Sequence, residues 1–334
     1  MYSGKIGITT TVPVEIIYAA GRVPVDLNNI FVAAPDAGSL VAYAEARGFP
    51  QSACAWTKGL YGVIHRYGIR EVVGVVEGDC CNTFALCEVL KSEGIVVHDF
   101  GFPSSRRADD LQTRMERFAE ELGTTLATAD AEKERLDDIR KLARRLYELA
   151  DAGCVPSGDL FGGLLNTSDF FGDPERCRKE LADAVARAEK DSAVSDRERI
   201  RLSCVGVPTI ITDLWDTFER LGGRFVDHEL PRQFALLNGI GDGMVETYLR
   251  YTYPYDVFRR IEDVKKEAGK RDVRGIIHYI QSFCYRQIED RLWREGLDLP
   301  ILTLEADRPG GIDERSRTRV EAFMERMTQQ GRTG

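Results

Sequence analysis

The 334-residue sequence lacks the features of several large classes of protein. No stretch reaches the roughly 18 consecutive apolar residues of a membrane-spanning helix, so we expect no membrane segment. The formal net charge is −9 and Lys and Arg form no basic stripe, which argues against general nucleic-acid binding. The first residues lead directly into a strand pattern, without the apolar stretch and cleavage site of a secretory signal. We therefore expect a cytoplasmic protein.

Histidine is also scarce. The four His residues do not pair into any metal-binding or catalytic-triad spacing. Gly239–Gly243 forms a glycine-rich loop, but it lacks the preceding strand and the Lys-Ser/Thr of a P-loop. We therefore do not expect the chain to hydrolyse ATP itself.

The two halves of the sequence repeat one order of predicted elements. In each half a β-α-β unit is followed later by a second β-α-β unit. The predicted strands are Lys5–Thr9, Val23–Asp26, Val72–Val76 and a strand after Gly94 in the first half, and Arg201–Gly206, Arg224–Asp227, Gly275–Ile280 and Ile301–Glu305 in the second. Alternating strands and helices favour parallel sheets with helices on both faces. The sequence thus predicts an α/β protein with two doubly wound parallel-sheet domains.

A charged segment with helical periodicity separates the two halves. Within it, Asp173-Pro174 is typical of a helix start, with Asp as N-cap and Pro in the first turn. We predict an N-terminal α/β domain over residues 1–107, a helical insert or bridge over 108–200, and a C-terminal α/β domain over 201–334. A final amphipathic helix is expected over Asp313–Met327.

Three of the eight cysteines fall where ligands bind in α/β proteins. Cys80 and Cys284 each follow a predicted strand at the point where a helix begins, at equivalent places in the two halves. Cys54 also precedes a helical pattern. The carboxyl edge of an open sheet is the usual ligand edge, and a helix amino end favours a thiolate. We therefore predict that these three thiols meet in one cleft and bind a shared inorganic ligand.

The residue pattern alone leaves the identity of that ligand open. A [4Fe-4S] cluster is held by Cys thiolates, and three protein ligands would leave one iron open for substrate. Zinc can also bind three cysteines. Cys81, next to Cys80, could replace it or add a ligand. Cysteines also pack as small apolar core residues, which is our interpretation of Cys87, Cys177 and Cys204.

Several segments resemble the 2-hydroxyacyl-CoA dehydratase family, which includes 2-hydroxyglutaryl-CoA dehydratase and, as relatives, benzoyl-CoA reductase subunits. The similar segments, in the family's order over nearly the whole chain, are Pro13–Val25, Cys54–Trp56, Glu77–Cys80, Ile280–Cys284 and Leu304–Phe323. The resemblance implies two flavodoxin- or Rossmann-like domains around a [4Fe-4S] cluster. Cys54, Cys80 and Cys284 match the family's three cluster ligands.

The resemblance also implies an activity and partners. A family enzyme is a lyase that removes water from an (R)-2-hydroxyacyl-CoA through a ketyl radical. It receives one electron from an ATP-hydrolysing activator protein and works with a related second subunit, or here as a homodimer. Two alternatives remain open: an ATP-dependent reductase of the same family with a larger, double-cubane cluster that recruits Cys81, and a non-catalytic cluster-bearing partner or electron-transfer subunit.

Three further features are candidates for the site. Glu15, in the first turn of the first predicted helix, could be an acid/base or substrate-positioning residue; alternatively its carboxylate only stabilises a helix amino end. The basic segment Ser104–Arg107 could contact the phosphates of CoA or be a solvated turn. The aromatic residues of Tyr248–Phe258 could line an acyl pocket or pack on the second sheet.

Overall fold

The computed structural model describes residues 4–190 and 199–331. Residues 1–3, 191–198 and 332–334 fall within the predicted N-terminal domain, insert and C-terminal domain, respectively, and lie outside the described residues.

Eight strands within the described residues form two four-stranded parallel sheets. They are β1 Lys5–Ile8, β2 Val23–Asp26, β3 Glu71–Glu77, β4 Val96–Gly101, β5 Ile200–Gly206, β6 Gly223–His228, β7 Gly275–Gln281 and β8 Ile301–Ala306. The order is β2-β1-β3-β4 in the first sheet and β6-β5-β7-β8 in the second. The predicted α/β fold with two doubly wound sheets is confirmed, and the shared strand order matches the repeat seen in the sequence.

The central strands are buried on both faces, as parallel sheets covered by helices require. All seven residues of β7 are buried. In β3, Val72–Val75 are buried while both ends are partly exposed. Valine and isoleucine dominate these strands because β-branched side chains fit a pleated surface covered on both sides.

Fifteen helices connect and cover the strands within the described residues. They are α1 Val14–Ala19, α2 Leu27–Ala33, α3 Ala37–Glu45, α4 Ala55–Tyr67, α5 Cys81–Ser92, α6 Ala108–Glu121, α7 Leu126–Asp151, α8 Ser157–Leu165, α9 Pro174–Lys190, α10 Leu214–Arg220, α11 Glu229–Phe234, α12 Met244–Arg250, α13 Val257–Lys270, α14 Asp290–Gly296 and α15 Glu314–Gly331. None of them combines the length and the apolar character needed to cross a bilayer.

Two connections in the second half contain ordered residues before the next α-helix begins. Ile211 forms a parallel bridge with Gly310, and α10 begins at Leu214. Tyr285–Glu289 is a 3₁₀ turn, and α14 begins at Asp290. The expected start of α9 is correct, with Asp173 Oδ1 accepting from the backbone N–H of Arg176 at 3.1 Å.

The segment between the sheets is helical and packs against both halves. The long helix α7 packs on α1 beside the first sheet and on β6 of the second. Ile16 of α1 and Leu146 of α7 belong to one hydrophobic core, which also includes Leu230 of α11. A second core joins residues of both sheets, including Val72 and Ile277. The two sheets are therefore held at fixed positions around a shared interior.

A substitution at Gly62 tests how closely α3 packs on α4. A Cβ at this position would lie 2.5 Å from the backbone oxygen of Leu40, which cannot move without shifting α3. We expect Gly62→Ala to lower the free energy of unfolding by about 1–3 kcal/mol, as overpacking does. Urea denaturation measures this difference. Gly38→Ala in α3 is the control, because a Cβ there meets nothing within 4 Å; it should stabilise by about 0.5–1 kcal/mol.

Candidate functional site

Cys54, Cys80 and Cys284 line one cavity of about 90 Å³. Each occupies the N-cap position of a helical segment: Cys54 before α4, Cys80 before α5, and Cys284 before the 3₁₀ turn Tyr285–Glu289. The sequence therefore brings the predicted thiols to one place, on three separate helix amino ends.

The cavity lies where the carboxyl edges of the two sheets face each other. Its wall includes Thr9 after β1, Asp79 after β3, Val207 after β5 and Gln281 at the end of β7. These strands are the central pairs, β1 with β3 and β5 with β7, between which the strand order reverses in each sheet. Such reversal points are where open α/β sheets bind ligands. Here the two reversal points share one cavity.

Burial keeps the three thiols in their neutral form. It raises the pKa of Cys80 to about 12 and that of Cys284 to about 11, and it raises the pKa of Cys54 as well. Smaller opposing effects come from hydrogen bonding by the helix amino ends. The backbone N–H groups of Trp56 and Thr57 lower the pKa of Cys54, and that of Thr83 lowers the pKa of Cys80. The negative charge of a Cys54 thiolate would raise the pKa of both other cysteines, so the three sites interact electrostatically.

Polar side chains in the wall are held in fixed orientations. The Asn28 amide donates from Nδ2 to the Thr9 carbonyl oxygen at 2.9 Å and to Asp26 Oδ1 at 2.8 Å. Both of its N–H groups are thus engaged, which leaves the amide oxygen as an acceptor. Trp56 Nε1 is buried without a hydrogen-bond partner among the described residues. The wall therefore retains hydrogen-bonding groups for a bound molecule.

Asp79 and Tyr253 also line the cavity. Tyr253 belongs to the aromatic segment that was a candidate for pocket lining, whereas Asp79 was not predicted as a site residue. Asp79 Oδ2 accepts from Thr83 Oγ1 at 2.9 Å, and burial raises the pKa of its carboxyl. Arg286 donates to the Tyr253 carbonyl oxygen at 3.0 Å and ties that segment to the turn after Cys284. The position of Asp79 directly before Cys80 could have identified it from the sequence.

Glu15 lies outside the wall of the cavity. It is fully buried in α1, where Oε1 accepts from Arg140 at 2.6 Å and Oε2 accepts from Tyr248 Oη at 2.8 Å. Arg140 also donates to Asp137 Oδ1 at 3.0 Å, and both of these residues belong to α7. Glu15 therefore connects α1 to the helical insert, and its predicted acid/base role stays a prediction.

The other cysteines do not line the cavity. Cys81 is exposed at the start of α5. Cys87, Cys177 and Cys204 are buried in α5, α9 and β5, respectively, as expected for core residues. The Cys87 sulfur packs so closely on Gly74 that a Cβ there would lie 2.2 Å from it.

The basic and aromatic candidates take part mainly in packing. Arg106 stacks on the ring of Tyr255 at 4.2 Å and donates to the Leu249 carbonyl oxygen at 3.1 Å. Arg107 is exposed and pairs with Asp109. Within the aromatic segment, Tyr253 lines the cavity, whereas Tyr248 donates a hydrogen bond to Glu15. Phe258 is 61% exposed.

The spacing of the side chains limits what the cavity can hold. Within residues 4–190 and 199–331, no group of three His, Cys, Asp or Glu side chains is arranged to hold a single metal ion. The three thiols nevertheless share one wall and interact electrostatically. The thiols are therefore placed to contact one bound group.

A family model matches nearly the whole chain. It is described as 2-hydroxyglutaryl-CoA dehydratase, D-component, and it matches residues 9–327. That range contains Glu15 and all three cysteines of the cavity. A search of curated proteins finds no match.

The buried pair of Glu15 and Arg140 gives a test of the role of Glu15. Both side chains are at most 1% exposed, and Glu15→Gln leaves the buried guanidinium of Arg140 with only the Asp137 carboxylate as a charge partner among the described residues. We expect the free energy of unfolding to fall by about 1–3 kcal/mol, because a buried charged hydrogen bond is weakened. Chemical denaturation of the metal-free protein measures this without reference to activity. Asp138→Asn, which breaks an exposed pair with Lys141 on α7, is the control and should leave stability unchanged. Equal stability of E15Q and the parent would contradict a structural role.

Proposed function

The chain belongs to the 2-hydroxyglutaryl-CoA dehydratase D-component family, and on that premise we propose that it is an enzyme subunit that removes water from an (R)-2-hydroxyacyl-CoA at a [4Fe-4S] cluster. The observation that carries the proposal is the convergence of Cys54, Cys80 and Cys284 on one cavity. The chain would thus be a lyase, working with partners.

The donor set fits such a cluster. Three thiols supply the ligands that iron–sulfur clusters use. Each lies at a helical amino end, whose N–H groups favour a thiolate once it forms. Zinc also accepts three cysteine ligands. The family match, whose members use iron–sulfur clusters, is what favours a cluster here.

The cluster, when bound, would supply an iron that polarises the thioester carbonyl or the leaving hydroxyl and would pass on the single electron that makes the substrate a ketyl radical. The chain itself provides orientation and shelter from water. The amide oxygen of Asn28 is free to accept from a substrate hydroxyl. Leu230 and Phe234 close the wall with apolar surface, which excludes water and strengthens polar contacts inside.

Glu15 enters this proposal as a positioning residue. Its carboxylate lies at the start of α1 and is bound by Arg140 and Tyr248, so it fixes the helix that follows Thr9 and Thr10 in the cavity wall. Glu15 would therefore influence the reaction indirectly, by keeping these wall residues in position.

Partner proteins would bind where the cysteine-bearing turns reach the surface. Phe283 and Tyr285 flank Cys284 and are 51% and 44% exposed. Ile288 in the same turn is 83% exposed, and Phe84, in the first turn of α5, is 49% exposed. Large exposed apolar groups often mark protein contacts. An ATP-hydrolysing activator that delivers the electron must come close to the cluster, and this surface is suited to it; a related second subunit or a second copy would complete the assembly.

Iron analysis of cysteine variants tests the proposal. We expect anaerobically purified protein to contain about four irons and about four sulfides per chain. Replacing Cys54, Cys80 or Cys284 with Ser should abolish this content, because each removes one ligand. Cys81→Ser is the matched control, since Cys81 is exposed and lies outside the cavity wall. Circular dichroism confirms that each variant is folded.

Other results would point elsewhere. Retention of iron in all three variants would overturn the assignment of the cavity. About eight irons in the parent, falling when Cys81 is replaced, would instead support the larger cluster of a reductase. A cluster whose spectrum does not respond to acyl-CoA would support an electron-transfer subunit.

A further inference from the structure

The thiol cavity cannot contain a whole CoA thioester, because its volume is only about 90 Å³. A larger groove of about 390 Å³ lies between α4, α5 and the loop of residues 47–53. That volume is in the range of small-molecule sites, roughly 300–1,000 Å³. We call this hollow the α4–α5 groove.

The α4–α5 groove adjoins the thiol cavity. Thr57, one turn after Cys54, lines both. On α4, Leu60 faces the cavity and Tyr61 the groove; on α5, Thr83 faces the cavity and Asn82 the groove. The inner end of the groove therefore lies beside the amino ends that carry Cys54 and Cys80.

The groove is elongated. Its floor is one face of α5, formed by Asn82, Ala85, Leu86, Val89 and Glu93, which recur at helical spacing. At about 1.5 Å per residue, this face extends for about 16 Å. Most of these side chains are apolar, whereas Asn82 and Thr57 at the inner end offer hydrogen-bonding groups. A long, flexible chain with a few polar groups suits this shape.

A positively charged side chain, that of Arg47, lies at the outer end of the α4–α5 groove. Arg47 lines the groove, and its guanidinium stacks on the ring of Tyr43 at 3.6 Å. No carboxylate among residues 4–190 and 199–331 forms an ion pair with Arg47. The nearby carboxylate of Glu93 already accepts from Tyr61 Oη at 2.7 Å and is bonded to His65 at 2.9 Å. Arg47 is therefore available to an anionic ligand.

We propose that the α4–α5 groove binds the pantetheine arm of the CoA thioester, with Arg47 contacting the CoA phosphates and the thioester end reaching Thr57. The inference rests on the proposed function, whose substrate site it locates. A second hollow of about 330 Å³, lined by Phe31, Phe161 and Trp215, suits this role less well because it shares no lining residue with the thiol cavity.

Equilibrium binding tests the proposal without turnover. The full-length, anaerobically purified protein is titrated by calorimetry with acetyl-CoA and with S-acetylpantetheine, which lacks the nucleotide and its phosphates. Ala85→Trp fills the floor of the groove and should weaken binding of both probes by at least about tenfold. Glu88→Trp is the matched control, an exposed position on α5 outside the groove lining, and should leave both affinities unchanged.

The arginine is tested separately. Arg47→Gln should weaken binding of acetyl-CoA by about three- to fivefold, as expected for an exposed ionic contact, and leave S-acetylpantetheine unaffected. Arg107→Gln tests the alternative assignment of the phosphates to Ser104–Arg107, and Lys141→Gln, an exposed position on α7 outside the groove lining, is the control that should leave both affinities unchanged. Loss of acetyl-CoA binding in R107Q rather than R47Q would place the phosphates at the segment Ser104–Arg107 and overturn the assignment.

The remaining outcomes separate this inference from the proposed function. If the parent binds acetyl-CoA and A85W binds it equally well, the groove assignment is wrong, while an unchanged iron content leaves the cluster proposal intact. If the parent binds neither probe, both the groove and the acyl-CoA substrate class fail.

Discussion

The candidate site depends on one geometric constraint: two parallel sheets present their carboxyl edges to each other. In each sheet the connections that follow the two central strands run to opposite sides of the sheet. This leaves a crevice at the carboxyl ends of those strands. Helical segments begin in that crevice with Cys80 in the first half and Cys284 in the second. Because α4 also begins there, Cys54 joins them. A rotation of one sheet relative to the other would move Cys284 away from Cys54 and Cys80.

Buried charges hold this arrangement between the halves. Arg140 of α7 binds Glu15 beside the first sheet. In the same helix, Tyr147 donates to Asp227 Oδ1 of the second sheet at 2.8 Å, and Arg232 pairs with that carboxylate. Buried ion pairs add little net stability compared with apolar packing, but they tolerate few alternative arrangements. These buried pairs therefore fix the relative position of the sheets more than they increase the stability of the fold.

The sequence predicted what depends on local pattern. Continuous apolar runs identified strands such as β3 and β7, and the turns after them placed Cys80 and Cys284 at helix starts. It could not predict the partner of Glu15, because Arg140 lies 125 residues away in sequence. Tyr253 was recognised only as part of an aromatic segment. Aromatic residues are expected both in a packed core and in a pocket wall, so the sequence could not distinguish the two. The β-bridge between Ile211 and Gly310 lies just before α10. It could not be predicted either, because it joins residues that are far apart in sequence.

The protonation of the thiols explains how so many potential charges can be buried in a small cavity. With pKa values raised to about 12 for Cys80 and about 11 for Cys284, these thiols are neutral at physiological pH in the metal-free chain. The fold thus forms without three buried negative charges. Binding of a cationic metal centre would displace the protons, because thiolates are the ligands. Backbone N–H groups at the three helix starts lower the pKa values of these thiols against the larger effect of burial, so they would stabilise the thiolates once these form.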